Sequence, residues 1–174
     1  GLVADASPGE LRGWSRRLGS RERRRDGAGA QWRAGTVRAI LPEMSQENVA
    51  VVRQMYDAFH SADAEGAIDH FAPDVRVDAR DHPDAQAGRG HEALVRIIGS
   101  WVAAFDEWSE EIEEIRDLGD HVLVAAKQRG RGKGTGIETE LRYALLYEVE
   151  DGKISSMTFC SDVAEALEVV ARSE

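Results

Sequence analysis

Residues 137 to 163 read I-E-T-E-L-R-Y-A-L-L-Y-E-V-E-D-G-K-I-S-S-M-T-F-C-S-D-V. Two β-rich runs flank Glu150-Asp151-Gly152-Lys153. Asp-Gly between such runs signals a tight hairpin, because glycine accepts the positive φ that these turns need. Two strands of this length are not stable alone in water and need further strands, or a helix, against one face.

The preceding residues supply both. Ser45 reads as an N-cap with Glu47 in the first turn, and Val49, Val52, Met55, Tyr56 and Phe59 recur at helical spacing, predicting a helix to about Ser61. Asp63 caps a shorter helix carrying Ala67, Ile68 and Phe71, which Ala72-Pro73-Asp74 ends. Residues 75–79 alternate as a strand, 80–90 read as a polar loop, and 91–105 form a third helix with Leu94, Ile97, Ile98, Trp101, Val102 and Phe105 on one face. Strands follow over 108–117, with Ile112 and Ile115 as anchors, and over 121–129. The glycine-rich run 129–136 resembles a phosphate cradle, but strand follows it where a cradle needs a helix, so it reads as a loop between strands. Asp162-Val-Ala-Glu165 looks like a capping box for a short terminal helix to about Ala171. Helices first and antiparallel strands later is the α+β order. Three helices on one sheet face would enclose an apolar pocket, and the other face must be polar or meet a partner.

The chain has 174 residues, enough for one domain with a core. Residues 1–43 hold nine Lys+Arg and five Asp+Glu, a net +4, while the chain as a whole carries −10, leaving −14 on 44–174. So acidic a domain should repel nucleic acid and anionic membrane. Residues 1–43 are rich in Arg, Gly and Ala and lack a sustained apolar period, which reads as a disordered basic leader, or as upstream sequence read in frame before Met44. A basic arm that binds nucleic acid or acidic partners is the alternative. The single cysteine, Cys160, excludes an intrachain disulfide. With no signal peptide and no apolar run near 18 residues, the expected location is cytoplasmic.

Residues 44–172 resemble the SnoaL-like polyketide cyclase branch of the nuclear transport factor 2-like (ketosteroid isomerase-like) superfamily. The resemblance rests on M-S-Q-E-N-V-A-V-V-R-Q-M-Y-D-A-F at 44–59, D-A-E-G-A-I-D-H-F-A-P-D-V at 63–75, G-H-E-A-L at 90–94 and R-Y-A-L-L-Y-E-V-E-D-G-K-I-S-S-M-T-F-C-S-D-V-A-E-A-L at 142–167. It implies a cone-shaped, curved antiparallel sheet packed against three helices, an α+β barrel, often homodimeric through the outer sheet face. It does not imply a reaction, because this fold hosts isomerases, cyclases, epoxide hydrolases and binders.

The resemblance also implies where acid/base residues would fall. The ketosteroid isomerase-like tyrosine, base and protonated aspartate fall on Met55, Ala79 and near Leu145. The cyclase-like aspartate and its polar partner fall on Phe159 and Leu145. None of these side chains moves a proton, so the family's catalytic positions read as lost. Tyr56 and Asp78 lie one residue away from two of them, which on a strand means the opposite face. An epoxide-hydrolase-like set has Asp78, Arg142 and Asp162 available in type, but strand parity turns Arg142 outward if Tyr143 and Leu145 point in.

Among the remaining polar residues, His60, His70, His82 and His91 lack paired metal spacing, and His121 opens a strand and reads as solvated. No metal or cofactor is expected. Cys160 lies opposite Phe159 by parity and reads as a packed thiol. Glu107, Glu110, Glu111, Glu113 and Glu114 read as a solvated strand face around Trp108, or as an acidic docking surface.

Three functions are open. The first is binding of a small apolar or aromatic molecule in a pocket lined by Met55, Tyr56, Phe59, Ala79, Trp101, Tyr143, Leu145, Tyr147 and Phe159. The second is a metal-free cyclase, isomerase or epoxide-hydrolase-type enzyme with Asp78 or Asp162 as an unrecognised base. The third is a domain that only dimerises.

Overall fold

The computed structural model describes residues 43–82 and 86–173. The reading of 1–43 as a leader falls, but for Glu43, outside the described residues. The chain order is α1 (Glu43–His60), α2 (Ala64–Asp69), β1 (Phe71–Ala79), β2 (Gln86–Arg89), α3 (Gly90–Ala103), β3 (Phe105–Asp117), β4 (His121–Gly132), β5 (Glu138–Glu150), β6 (Lys153–Cys160) and α4 (Val163–Ser173).

The hairpin at 150–153 forms as the sequence predicts. Glu150 pairs with Lys153, and Asp151 and Gly152 both have positive φ, 50° and 73°, as a two-residue primed turn requires. β5 and β6 then stand at the centre of a six-stranded sheet ordered β2-β1-β6-β5-β4-β3.

Several expectations are corrected. The sheet is mixed rather than antiparallel, because β1 runs parallel to β6. It is open, with β2 and β3 as its edges, and does not close into a barrel. Ser45 is the third residue of α1, not its cap. β1 begins at Phe71, ahead of Pro73, and its register against β6 shifts between Phe71 and Arg76, which is where a residue without an N–H can be tolerated. Part of the expected loop 80–90 is strand: β2 pairs with the end of β1. β4 extends to Gly132, so only the remainder of the glycine-rich run is a loop. Gly130 is needed inside that strand, since a Cβ there would lie 2.5 Å from the Phe105 ring.

Strand alternation sorts the sheet into two faces. Val75, Val77, Val122, Val124, Tyr143, Leu145, Tyr147, Met157 and Phe159 face α1, α2 and α3 and form the main core. On the other face Leu123, Ala125, Ala144, Leu146 and Cys160 form a smaller core under Ala166 of α4. The apolar part of the outer face is therefore covered by the chain's own last helix. The rest of that face is a charge ladder. Glu111 and Glu113 meet Lys127 at 2.9 and 3.6 Å, Glu113 meets Arg142 at 3.2 Å, Arg142 meets Glu140 at 3.3 Å, and Glu140 meets Arg129 at 2.7 Å.

Candidate functional site

A cavity of about 50 Å³ lies between the helices and the inner sheet face, with room for a few water-sized groups. Met55, Tyr56 and Phe59 come from α1, where helical spacing puts them on one stripe; Trp101 comes from α3; Tyr143, Leu145 and Tyr147 alternate along β5. These seven line the cavity. Ala79 and Phe159 do not. Both are buried on the inner face, but Phe159 fills space instead of bounding it, stacked on Tyr143 at 5.3 Å and edge-on to Trp101 at 5.4 Å and His82 at 5.0 Å.

The polar part of the wall is a set of tyrosines and one acid. The hydroxyls of Tyr56 and Tyr147 share a hydrogen bond of 2.7 Å. The Tyr143 hydroxyl donates to Glu110, whose side chain is 5 % exposed. His60 Nε2 lies 3.3 Å from the other Glu110 oxygen. Burial raises the Tyr56 and Tyr143 phenols well above the ordinary tyrosine value, and the negative charge of Glu110 adds to both shifts. Tyr147 is raised by burial too. All three stay protonated and can only offer O–H donors and hydroxyl lone pairs at working pH.

Glu110 is the functional candidate that sequence reading missed. In a run with glutamates at both parities, no side chain announces its face. The register of β3 against β4 decides it: Trp108, Glu110 and Ile112 turn inward, while Glu107, Glu111 and Glu113 pair outward with Arg131, Lys127 and Arg142. A bulge between Ile112 and Glu114 then resets the alternation, which is how Ile112 and Ile115, three apart, both reach the core. A surface cleft lies on the far side of Tyr56 and Glu110, lined also by Arg53, Asp57, His60 and Glu111. Tyr56 and Glu110 thus border both spaces.

The two carboxylates expected as bases are elsewhere. Asp78 alternates to the side opposite Val77 and Ala79 and is held by the Arg80 guanidinium, with Nε 2.8 Å from its oxygen. That hydrogen bond keeps its carboxyl below the ordinary value, the opposite of what a poised base needs. Asp162 caps α4, accepting from the Glu165 N–H at 2.9 Å. Arg142 is occupied by Glu113 and Glu140 on the outer face. The three do not form one set.

Cys160 is fully buried under α4, and burial pushes its thiol up to about 12. No cluster of His, Cys, Asp and Glu suited to a metal occurs among the described residues. Nor is any helix among them long and apolar enough to cross a membrane.

The profile of the SnoaL-like domain matches residues 52–157, and the chain belongs to that family. Its fold is that of the nuclear transport factor 2-like proteins. An NTF2-like protein of unknown function from Burkholderia pseudomallei superposes with a TM-score of 0.58 at 23 % identity, covering 71 % of this chain and 97 % of that one. A protein from Jannaschia sp. assigned as a SnoaL-like polyketide cyclase gives 0.59 at 18 % identity, over 79 % and 98 %. TerC, co-crystallised with polyporic acid, gives 0.57 at 19 % identity, over 72 % and 98 %. Identities this low establish the shared fold alone. Comparison with curated proteins gives no match.

Proposed function

We propose that this domain binds a compact, largely apolar molecule of aromatic type behind α1 and α3, with the flexible Met55 and Met157 side chains giving way on entry, since the empty cavity of about 50 Å³ is smaller than the roughly 150 Å³ that takes up a benzene ring. The observation that carries the proposal is the wall itself: carbon surface from Met55, Phe59, Leu94, Leu145 and Met157, interrupted by the Tyr56–Tyr147 hydroxyl pair and by Tyr143 with Glu110. Such a lining gains from burying apolar surface and uses its few polar groups to orient the guest. TerC, a protein of the same fold, was co-crystallised with a small molecule, polyporic acid, which accords with a binding reading. Trp101 and Trp108 both line the cavity and serve as its reporters. Titration with benzene and small one-ring aromatics should quench tryptophan fluorescence saturably. Ala67→Leu, which adds carbon at a cavity-lining position, should weaken that binding at least about tenfold, roughly the worth of one well-buried side chain's contacts. Binding that is indifferent to Ala67→Leu would place the guest outside this cavity.

The position of Glu110 supports a second reading, a proton-transfer enzyme of isomerase or cyclase type. A carboxylate on a nearly dry wall, oriented by a tyrosine, has the attributes of a general base. In that reading Glu110, held by the Tyr143 hydroxyl, takes a proton from an acidic C–H of the guest and returns it, while the one hydroxyl proton of the Tyr56–Tyr147 pair not used between them donates to the developing oxyanion. Deuterium entering such a position of a bound ketone in heavy water, and ceasing to enter with Glu110→Gln at unchanged affinity, would select this reading over simple binding. The homodimer and the cytoplasmic setting expected from the sequence belong to the same proposal. Light scattering that gives a monomer at high micromolar concentration would remove the dimer.

A further inference from the structure

The cleft on the outer side of Tyr56 and Glu110 has a volume of about 460 Å³ and lies between α1 and β3. Arg53, Asp57 and His60 line it from α1 at helical spacing, and Ile112 and Ile115 line it from β3. No residue of β4 lines it, because β3 is the last strand of the sheet among the described residues. β3 is 13 residues long, whereas β2 at the opposite edge has four. A long free edge offers unpaired N–H and C=O groups, and folded proteins keep such edges short or cover them. Here the edge borders a wall that is part carbon and part acid. Ile112 and Ile115 are only half-buried. Of the carboxylates, Glu110 is held by Tyr143 and His60, and Glu111 by Lys127, which leaves Asp57, exposed on α1, to receive a cation.

One stretch of the chain matches that wall. Residues 31–41, Q-W-R-A-G-T-V-R-A-I-L, carry Arg33 and Arg38 and no acid, with Trp32, Val37, Ile40 and Leu41 as apolar side chains. They lie outside the described residues, and only Pro42 separates them from the start of α1 at Glu43. Arg53 and His60 are about 15 and 25 Å along the helix from Glu43. Eleven extended residues span up to about 36 Å, so the segment can turn back along α1 and reach the whole cleft. We infer that residues 31–41 dock in the cleft of their own domain, with Arg33 and Arg38 beside Asp57 and the apolar side chains over Ile112 and Ile115. The charge of the molecule favours this partner over nucleic acid, since the −14 on 44–174 attracts the +4 on 1–43 and repels phosphate. The tether raises the local concentration of the segment, so weak contacts suffice to hold it. Docked there, it covers the outer side of the layer formed by Tyr56 and Glu110.

The test places a nitroxide on Thr36→Cys in the full chain labelled with ¹⁵N; Cys160 is fully buried and does not take the label. The expected result is that the amide signals of Asp57, His60, Ile112 and Ile115 are broadened away and return when the nitroxide is reduced. Those of α4, on the other face of the sheet, should be untouched. Asp57→Lys should abolish the broadening. Arg33→Glu together with Arg38→Glu should abolish it from the other side, and decides the matter if Asp57→Lys does not fold. Cleft amides that keep their intensity, or broadening shared equally by the cleft and α4, would overturn the inference. So would broadening that survives either charge reversal. A mixture of ¹⁵N-labelled unsubstituted chain with spin-labelled chain at natural abundance should show no broadening. Broadening in that mixture would put the segment on a second copy and overturn docking within one chain.

Discussion

Tyr56, Tyr143 and Tyr147 are all the tyrosines of the chain, and each lies on the cavity wall with its phenol raised above the ordinary value. In the unfolded chain each would titrate near pH 10. Above that pH the folded protein holds more protons than the unfolded one, so stability falls as pH rises, by up to about 1.4 kcal/mol per pH unit for each tyrosine. Below pH 10 the stabilisation is complete. The folded protein should therefore show no tyrosinate absorbance near pH 10, and the band should appear only together with unfolding. A normal tyrosinate titration with the fold intact would mean that the hydroxyls are wet. These tyrosines were legible as cavity residues because helix and strand spacing each put apolar neighbours on the same side. Glu110 was not, since its face depends on a register and a bulge that local alternation does not encode. That the buried Nε1–H of Trp108 has no hydrogen-bond partner among the described residues was equally hidden, because it is a property of the packed structure.

At the scale of elements, the signals with local physics were the readable ones. The Asp151-Gly152 turn and the helix signal at 162–165 need only neighbouring residues. Even there the capping differs in detail: Glu165 reaches back to the backbone N–H and hydroxyl of Ser161 at 2.6 and 2.7 Å, not to Asp162. Asp162→Ala should cost about 1 kcal/mol of stability, measured by denaturant unfolding, with guest binding unchanged. A loss of binding at unchanged stability would return Asp162 to the list of functional residues. What could not be read was the pairing of β1 with β6, which joins residues some eighty positions apart in parallel, and the short β2, whose Q-A-G-R carries no strand signature. The seating of α4 on the outer face was also not evident. Ala166, with no exposed surface, is its point of closest packing. Ala166→Glu should lift the helix, cost roughly 1–3 kcal/mol and make Cys160 reactive to a thiol reagent under native conditions. A thiol that stays inert in that variant would show that something other than α4 shields it.

For the whole molecule, the resemblance in the sequence carried the fold, because the order of elements and the position of the turns are what define it. The chemistry of the site was carried less well, because which side chains meet at the cavity depends on packing and register, as the contact of Glu110 with Tyr143 does. The outer sheet face shows the same separation of shape from use. The expectation of a homodimer rests on the family resemblance and on an outer face that carries apolar residues as well as charges; α4 covers the apolar part, and the remainder is a ladder of ion pairs from Glu111 to Arg129. A dimer built across that ladder would be held by charges near solvent and should dissociate as salt rises to molar levels, as followed by sedimentation. A dimer indifferent to salt would have to use another surface.

The partition formed by Tyr56 and Glu110 separates the cavity from the surface cleft by a single layer of side chains, with His60 on its outer side. Isolation from bulk water is then a matter of time as well as of space. The interior can be dry on average and still be visited whenever that layer opens. The residence of the Tyr143 hydroxyl proton measures those visits, and His60→Ala should shorten it by thinning the outer side of the layer, as read by saturation transfer from water. An unchanged lifetime would locate the path of water elsewhere around the cavity.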